Sequence, residues 1–103
     1  MERIDKNAAY IYNINMFEWD ETKNKSNIEK HGVSFEVAKT VFDDPNRLTL
    51  VDREHSKEEG RYFCVGIVGA GVLTVRFAIR NDKIRIIGAG YWRKGRKLYE
   101  ERS

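Results

Sequence analysis

The chain has 103 residues, of which 41% are hydrophobic and 34% charged, which is typical of one small domain with a charged surface. No apolar run approaches the roughly 18 residues that a membrane span needs, and the N-terminus lacks the basic-then-apolar pattern of a secretory signal. The single cysteine, Cys64, excludes an internal disulfide framework and a cysteine-rich zinc module. We therefore expect a soluble, cytoplasmic protein.

The charge is distributed unevenly along the chain. Residues 1–60 contain 9 Lys and Arg against 13 Asp and Glu, whereas residues 61–103 contain 10 against 3, so their net charges are −4 and +7. A basic half on a small domain is typical of a protein that binds polyanions. A solvated basic surface, or a surface that binds an acidic partner protein, explains the same charge equally well.

The first half of the chain shows a change of pattern at Met16. Residues 1–15 carry no helix cap, and we expect them to be an N-terminal extension, either a short edge strand or a disordered tail. The following residues predict one strand and two helices, over 17–20, 21–31 and 35–42. Asp20 and Ser34 are suitable N-caps for the two helices, and Gly32 is a suitable end for the first.

After Pro45 the hydrophobic period changes to two, which indicates strands. The predicted strands cover residues 47–52, 61–68, 72–80 and 83–89. Turns at 69–71 and at Asn81-Asp82 connect them as hairpins. We expect Gly88 and Gly90 to break the last strand, and a basic helix to follow over 91–102. The prediction is an α+β fold, with an antiparallel four- to five-stranded sheet, two N-terminal helices and one C-terminal helix.

Three arginines of the predicted hairpin share one open face of the sheet. Arg76 and Arg80 alternate along one strand, and Arg85 lies opposite them on the next. Like charges placed so close repel each other, but an anion that bridges them removes this cost, and arginine binds phosphate bidentately. Carboxylates nearby would balance the charge equally well.

Two further groups of residues could contact RNA or transfer protons. Tyr91 and Trp92 precede Arg93 and Lys94, so aromatic planes for base stacking lie beside charges for phosphates. The alternative is that the aromatic residues only dock a helix on the core. In the charged loop before residue 61, His55 and Glu59 are candidate acid–base groups, although both could be solvated loop residues. Neither histidine has partners at metal-ligand spacing, so we expect no metal site.

Several strings in this sequence, taken together and in order, resemble the BrnT family of toxins from type II toxin–antitoxin pairs. They are Phe17-Glu18-Trp19-Asp20, Lys23-Asn24, Asn27, Lys30-His31-Gly32-Val33 with Phe35, Val41-Phe42, Asp44-Pro45, Asp52, His55-Ser56, Arg61 with Gly66, and Arg85-Ile86-Ile87. The resemblance covers residues 16–103 as a single BrnT-like domain. It implies a RelE-like fold, metal-independent ribonuclease activity without a cofactor, and inhibition by a cognate antitoxin that also binds DNA.

On this resemblance we predict an endoribonuclease that uses the ribose 2′-OH as its nucleophile, with RNA and the antitoxin as partners, the latter in a hetero-oligomer. Such a reaction needs groups that hold the phosphate, neutralise its developing charge and transfer protons. The predicted phosphate-binding residues are Arg61, Arg76 and Arg80, supported by Arg85. The proton-transfer candidates are His55, Glu59 and Lys23. Contacts with RNA are expected from Tyr91, Trp92, Arg93 and Lys94.

One segment departs from the family pattern. Relatives commonly continue the Arg-Ile-Ile string with Ser-Ala-Arg, whereas this chain has Gly88, Ala89 and Gly90. An arginine of the active face is therefore absent at Gly90, and Arg93 or Lys94 could replace it. The alternative function is a non-catalytic antitoxin-binding or RNA-binding protein of the same fold.

Overall fold

The computed structural model describes residues 2–3 and 14–102, and within them strands and helices follow the predicted order. The strands are β1 (Glu2–Arg3), β2 (Phe17–Trp19), β3 (Leu48–Val51), β4 (Arg61–Val68), β5 (Gly71–Arg80) and β6 (Lys83–Gly90). The α-helices are α1 (Glu21–His31), α2 (Phe35–Ala38) and α3 (Arg93–Glu101). Short 3-10 helices cover Lys39–Asp43 and Arg53–His55. None of these helices is long and apolar enough to span a membrane.

The strands form one sheet in the order β1-β3-β4-β5-β6-β2. The predicted α+β class is confirmed, but the sheet is mixed, because β2 pairs with β6 in parallel, with Glu18 opposite Arg85. The other neighbouring strands are antiparallel. The direction of β2 could not be inferred from the sequence, since no turn connects it to β6.

The predicted helix caps are confirmed by the hydrogen bonds at the helix ends. The Asp20 carboxylate accepts hydrogen bonds from the N–H groups of Thr22 and Lys23, at 2.8 and 3.2 Å. Gly32 ends α1 in the left-handed conformation at φ 69°, which a residue with a side chain rarely adopts. The Ser34 hydroxyl accepts from the Val37 N–H at 3.1 Å and starts α2.

The β5–β6 hairpin has the predicted turn, and its second strand continues to Gly90 with one bulge. Asn81 and Asp82 have φ angles of 52° and 60°, as a two-residue type I′ turn requires. Arg76 pairs with Gly88 whereas Phe77 pairs with Ile86, so β6 has a bulge between these two pairs. The prediction that Gly88 and Gly90 break the strand is wrong, since β6 continues to Gly90. The helix that follows is shorter than the predicted 91–102.

The two faces of the sheet pack against different helices. One face, together with the α2 region, forms a core that includes Phe35, Val41 and Phe77. On the opposite face α3 packs through Leu98 and Tyr99 over a smaller cluster of aliphatic residues. Because α3 covers only part of this second face, the remainder is left for charged side chains.

The polar helix α1 attaches to the sheet through a buried asparagine. Asn27 is 7% exposed, and its side-chain amide donates to the carbonyls of Val33 and Ala89, both at 2.9 Å. Its side-chain oxygen accepts from the Ala89 N–H at 3.1 Å. The amide thus bonds both backbone groups of Ala89, as a further strand would, at a point on β6 beyond the last residue that β2 pairs.

The predicted extension over residues 1–15 lies mostly outside the described residues. Glu2 and Arg3 pair with Val51 and Leu50 at the edge of the sheet. Ile14 packs against the larger core. Whether the domain needs the extension stays a prediction.

Candidate active site

Strand register brings the predicted arginines to one face of the sheet. Arg61 on β4 and Arg85 on β6 both pair with Ala78 of β5, so they flank it on either side. Arg76 and Arg80 lie two residues to either side of Ala78 on the same strand, and residues two apart point to the same face. The four side chains therefore share the face that α3 leaves partly open.

Carboxylates balance three of these four arginines. Arg80 donates from Nε and Nη2 to the two oxygens of Glu59, at 2.9 and 2.6 Å, and Arg61 Nη2 lies 3.1 Å from the same carboxylate. Arg85 donates to Glu18 at 2.6 Å. Hydrogen bonding from Arg80, followed in effect by the charges of Arg80 and Arg61, lowers the pKa of Glu59 to about 2 against an opposing effect of burial. Glu59 is therefore a fixed anion at neutral pH.

Arg76 differs from the other three. Its side chain is exposed, and within the described part of the chain it forms no ion pair with a carboxylate. The guanidinium lies directly over Gly88, where an added Cβ would come within 2.9 Å of Nη2 and 3.1 Å of Nε. Gly88 thus provides the space in which Arg76 lies, with its charge available for an anion.

A histidine–aspartate pair lies beside these arginines. Nδ1 of His55 is 2.8 Å from Oδ2 of Asp52, and the Asp52 side chain is 10% exposed whereas that of His55 is 61% exposed. An ionised carboxylate can only accept, so this contact keeps a proton on Nδ1 and leaves Nε2 available as a base. The Ser56 hydroxyl fixes the loop by donating to the Asp52 carbonyl at 2.6 Å and accepting from the Arg61 N–H at 3.0 Å.

One cleft contains three of the predicted catalytic side chains. Its lining residues are Asp52, His55, Arg61, Tyr62, Arg76, Phe77 and Ile87. A neighbouring depression is lined by Lys23, Ser26, Asn27, Lys30, His31, Arg76 and Ile87. Arg76 therefore lies between the two, with His55 in one and Lys23 in the other, while Arg80 belongs to a third depression that contains Glu59 and Arg61. Among residues 2–3 and 14–102, no three His, Cys, Asp or Glu side chains form a metal-binding group.

The four residues after β6 that are predicted to bind RNA lie in different surroundings. The Tyr91 hydroxyl donates to the Val68 carbonyl at 3.0 Å and its ring lies over Gly71, so it contacts the β4–β5 hairpin. The Trp92 ring meets His31 edge-on, with the centroids 5.3 Å apart. Lys94 lines a cavity next to His55. Arg93 is exposed at the start of α3.

Trp92 also explains the departure at Gly90. A Cβ at this position would lie 2.4 Å from Cε2 and 2.6 Å from Nε1 of the Trp92 indole. The indole therefore occupies the space in which a side chain at position 90 would begin. An arginine here would require the tryptophan to move.

Sequence reasoning missed the role of Asp52 in this site. The residue appears only as one letter of the family pattern, although its spacing of three from His55 is a usable signal in a short helical turn.

The family described as "Ribonuclease toxin, BrnT, of type II toxin-antitoxin system" matches residues 19–95, about three quarters of the chain. The chain belongs to the BrnT family. A comparison with curated proteins gives no match.

Membership confirms the predicted resemblance, over a span shorter at both ends than the expected 16–103. A BrnT protein is the ribonuclease toxin of a type II system, so its family assigns it an antitoxin partner.

Proposed function

We propose that this BrnT protein is a metal-independent endoribonuclease in which His55, Arg61 and Arg76 act on one phosphodiester of RNA. The observation that carries the proposal is the cleft in which the exposed imidazole of the His55–Asp52 pair lies beside two arginines. These groups can transfer a proton and neutralise a phosphate, which are the two requirements of RNA cleavage through the ribose.

The reaction forms one bond and breaks one. The 2′-oxygen attacks the adjacent phosphorus, the bond from phosphorus to the 5′-oxygen breaks, and the products are a 2′,3′-cyclic phosphate and a 5′-hydroxyl. Nε2 of His55 removes the 2′-hydroxyl proton, while Arg76 and Arg61 stabilise the charge that develops on the phosphoryl oxygens. The leaving 5′-oxygen takes its proton from solvent or from the imidazolium.

The remaining predicted residues have supporting positions. A carboxylate with a pKa of about 2 is a weak base at neutral pH, so we assign Glu59 to holding Arg61 and Arg80 rather than to proton transfer. Arg85 is occupied by Glu18. Lys23 lies across Arg76 from His55, where it can contact a neighbouring phosphate of the same strand.

The test is RNA cleavage by the purified chain without antitoxin, with and without EDTA. We expect cleavage to survive EDTA, to yield cyclic phosphate ends, and to stop at a site that carries a single 2′-deoxy substitution. Arg76→Ala and His55→Ala are each expected to lower the rate by about 10²–10³-fold, the usual effect of losing one such group. Arg76→Lys keeps the charge without the bidentate fork and recovers part of the rate.

Lys97→Ala is the matched control, because Lys97 is an exposed cation of α3 whose one ion pair among the described residues is with Glu101, at 4.0 Å. Loss of cleavage in EDTA contradicts metal independence, and cleavage at the deoxy site contradicts the 2′-OH mechanism. Full activity in both Arg76→Ala and His55→Ala would place the site elsewhere.

A non-catalytic antitoxin-binding function is the second candidate, and the indole in place of the family arginine at position 90 favours it. On this alternative the basic half of the chain binds an acidic antitoxin surface and no RNA is cut. Its affinity falls with added salt, because exposed charges are screened within about 8 Å at physiological ionic strength. A wild-type chain that cuts no RNA but binds antitoxin in this way would replace the catalytic proposal.

A further inference from the structure

A separate cavity of about 210 Å³ opens beside the cleft, between α3, strands β4 and β5, and the loop that carries His55. Its lining residues are Asp52, Arg53, Glu54, His55, Phe63, Val65, Thr74, Trp92, Lys94, Gly95 and Leu98. Most of the wall surface is apolar, although charged residues also line it. Asp52 and His55 belong to both the cavity and the cleft. Anything bound in the cavity therefore lies next to the imidazole.

The wall of this cavity contains a buried hydroxyl without a partner. Thr74 is 5% exposed, and its Oγ1 forms no hydrogen bond with the described residues. Most buried hydroxyls in proteins are hydrogen-bonded, so this group is suited to a ligand that supplies the missing bond. Gly95 allows the close approach of α3 to it, since a Cβ there would lie 1.9 Å from Oγ1.

The start of α3, with its backbone N–H groups, also belongs to this wall. Trp92 is the N-cap residue and makes no side-chain hydrogen bond to the first turn. Uncapped N–H groups at a helix start are donors for an acceptor on a ligand. The cavity thus combines an apolar wall with the Thr74 hydroxyl and the start of α3, which no side chain of the N-cap residue caps.

We propose that this cavity binds the base of a nucleotide adjacent to the scissile phosphate, and so determines which RNA sequences are cut. The inference rests on the proposed ribonuclease function. A base has a flat aromatic surface, which suits Trp92 and Phe63, and a polar edge, which suits the Thr74 hydroxyl. The phosphate attached to the same nucleotide would reach His55 and Arg61, while Lys94 lies at the wall for the next phosphate.

An apolar side chain of the antitoxin is the other occupant that such a cavity could take. The wall that the cavity shares with the cleft favours a nucleotide, because an occupant that touches Asp52 and His55 lies next to the imidazole proposed to act on RNA. The antitoxin is therefore one outcome of the test below.

The binding experiment uses dinucleotides with 2′-O-methyl groups, which cannot be cleaved, and the same dinucleotides with one base removed. The chain has two tryptophans, so Trp19→Phe leaves Trp92 as the fluorescent probe. We expect the intact dinucleotide to quench Trp92 and to bind about tenfold or more tightly than the abasic one, the usual effect of stacking one base. The indole N–H NMR signal of Trp92 gives the same readout in the wild-type chain.

The cleavage experiment compares the sequences cut by the wild type with those cut by Thr74→Val. This substitution preserves shape and removes only the hydroxyl, so the fold is retained while the preference among bases changes by about fivefold or more. Lys97→Ala again serves as control, and antitoxin affinity is measured on the same variants.

The possible outcomes separate the two proposals. Equal binding of intact and abasic dinucleotides, or an unchanged cleavage pattern in Thr74→Val, overturns the base-binding inference while RNA cleavage itself still supports the ribonuclease. An unchanged pattern together with weakened antitoxin binding assigns the cavity to the antitoxin. Base-dependent binding by a chain that cuts nothing contradicts the catalytic proposal, and it overturns the role of the cavity in selecting cleavage sites while leaving it a site that binds a base.

Discussion

Replacing Asn27 with alanine is expected to destabilise the domain more than any exposed substitution in α1. The amide makes three hydrogen bonds, to the Val33 carbonyl and to both backbone groups of Ala89, at 2.9, 2.9 and 3.1 Å. Alanine cannot replace them. Strand β2 cannot replace them either, because its pairing with β6 ends at Ile86. The substitution therefore leaves two carbonyls and one N–H buried without partners.

The expected loss follows from these three groups. Each buried polar group without a partner costs about 1–3 kcal/mol, but the space left by the amide can admit a water that bonds some of them. Alanine also favours the helix over asparagine by up to ~0.7 kcal/mol. We expect a net loss of about 3 kcal/mol, or a fall of at least ~12 °C in Tm for a domain of this size.

Urea unfolding followed by circular dichroism measures this loss. Asn24→Ala is the graded control, because Asn24 accepts one hydrogen bond from the Phe35 N–H at 2.8 Å and should cost about 1 kcal/mol. Lys25→Ala, at an exposed position of the same helix, should have almost no effect. A loss in Asn27→Ala no greater than in Asn24→Ala would refute the argument that this amide takes the place of a strand.

Three further outcomes are expected from the same fold. The pKa of Glu59 in the folded chain, about 2, lies below its ordinary 4.5, so its contribution to stability is complete above pH about 4.5 and is lost as the pH falls towards 2. Glu59→Gln should remove this part of the pH dependence of urea unfolding. An unchanged pH dependence would contradict the ion pair. Gly90→Arg should lower Tm because the Cβ of the arginine would meet the Trp92 indole at 2.4 Å. Adding Trp92→Ala should recover part of this loss in Tm. No recovery would point to another cause. Deleting residues 1–13, which stops short of the core residue Ile14, should cost less than ~2 kcal/mol in chemical denaturation, and a larger loss would show that the extension is part of the domain.

The basic face shows how far the sequence reached into the site. Alternation along β5 and the turn at Asn81-Asp82 were enough to place Arg76, Arg80 and Arg85 on one face. They could not show which arginine is balanced, because Glu59 is 21 residues from Arg80 and Glu18 is 67 residues from Arg85. Only the folded chain distinguishes Arg76 as the arginine of these three that forms no ion pair with a carboxylate among the described residues.

Local chemistry determined the features that the sequence predicted correctly. Asp20 caps N–H groups two and three residues away, Gly32 supplies a positive φ, and Asn81 with Asp82 forms a turn of two residues. Each of these depends on neighbours in the chain, whose distances are fixed by covalent geometry.

Tertiary packing decided the features that the sequence did not reveal. The parallel pairing of β2 with β6, and the bonds of Asn27 to Ala89 over 62 residues, depend on which elements meet in space. The same holds for Gly90, whose missing side chain is read from the sequence as a lost arginine, while the structure shows the Trp92 indole in that space. Residues far apart in the chain can pair in many ways, and only the packing of the whole domain selects one of them.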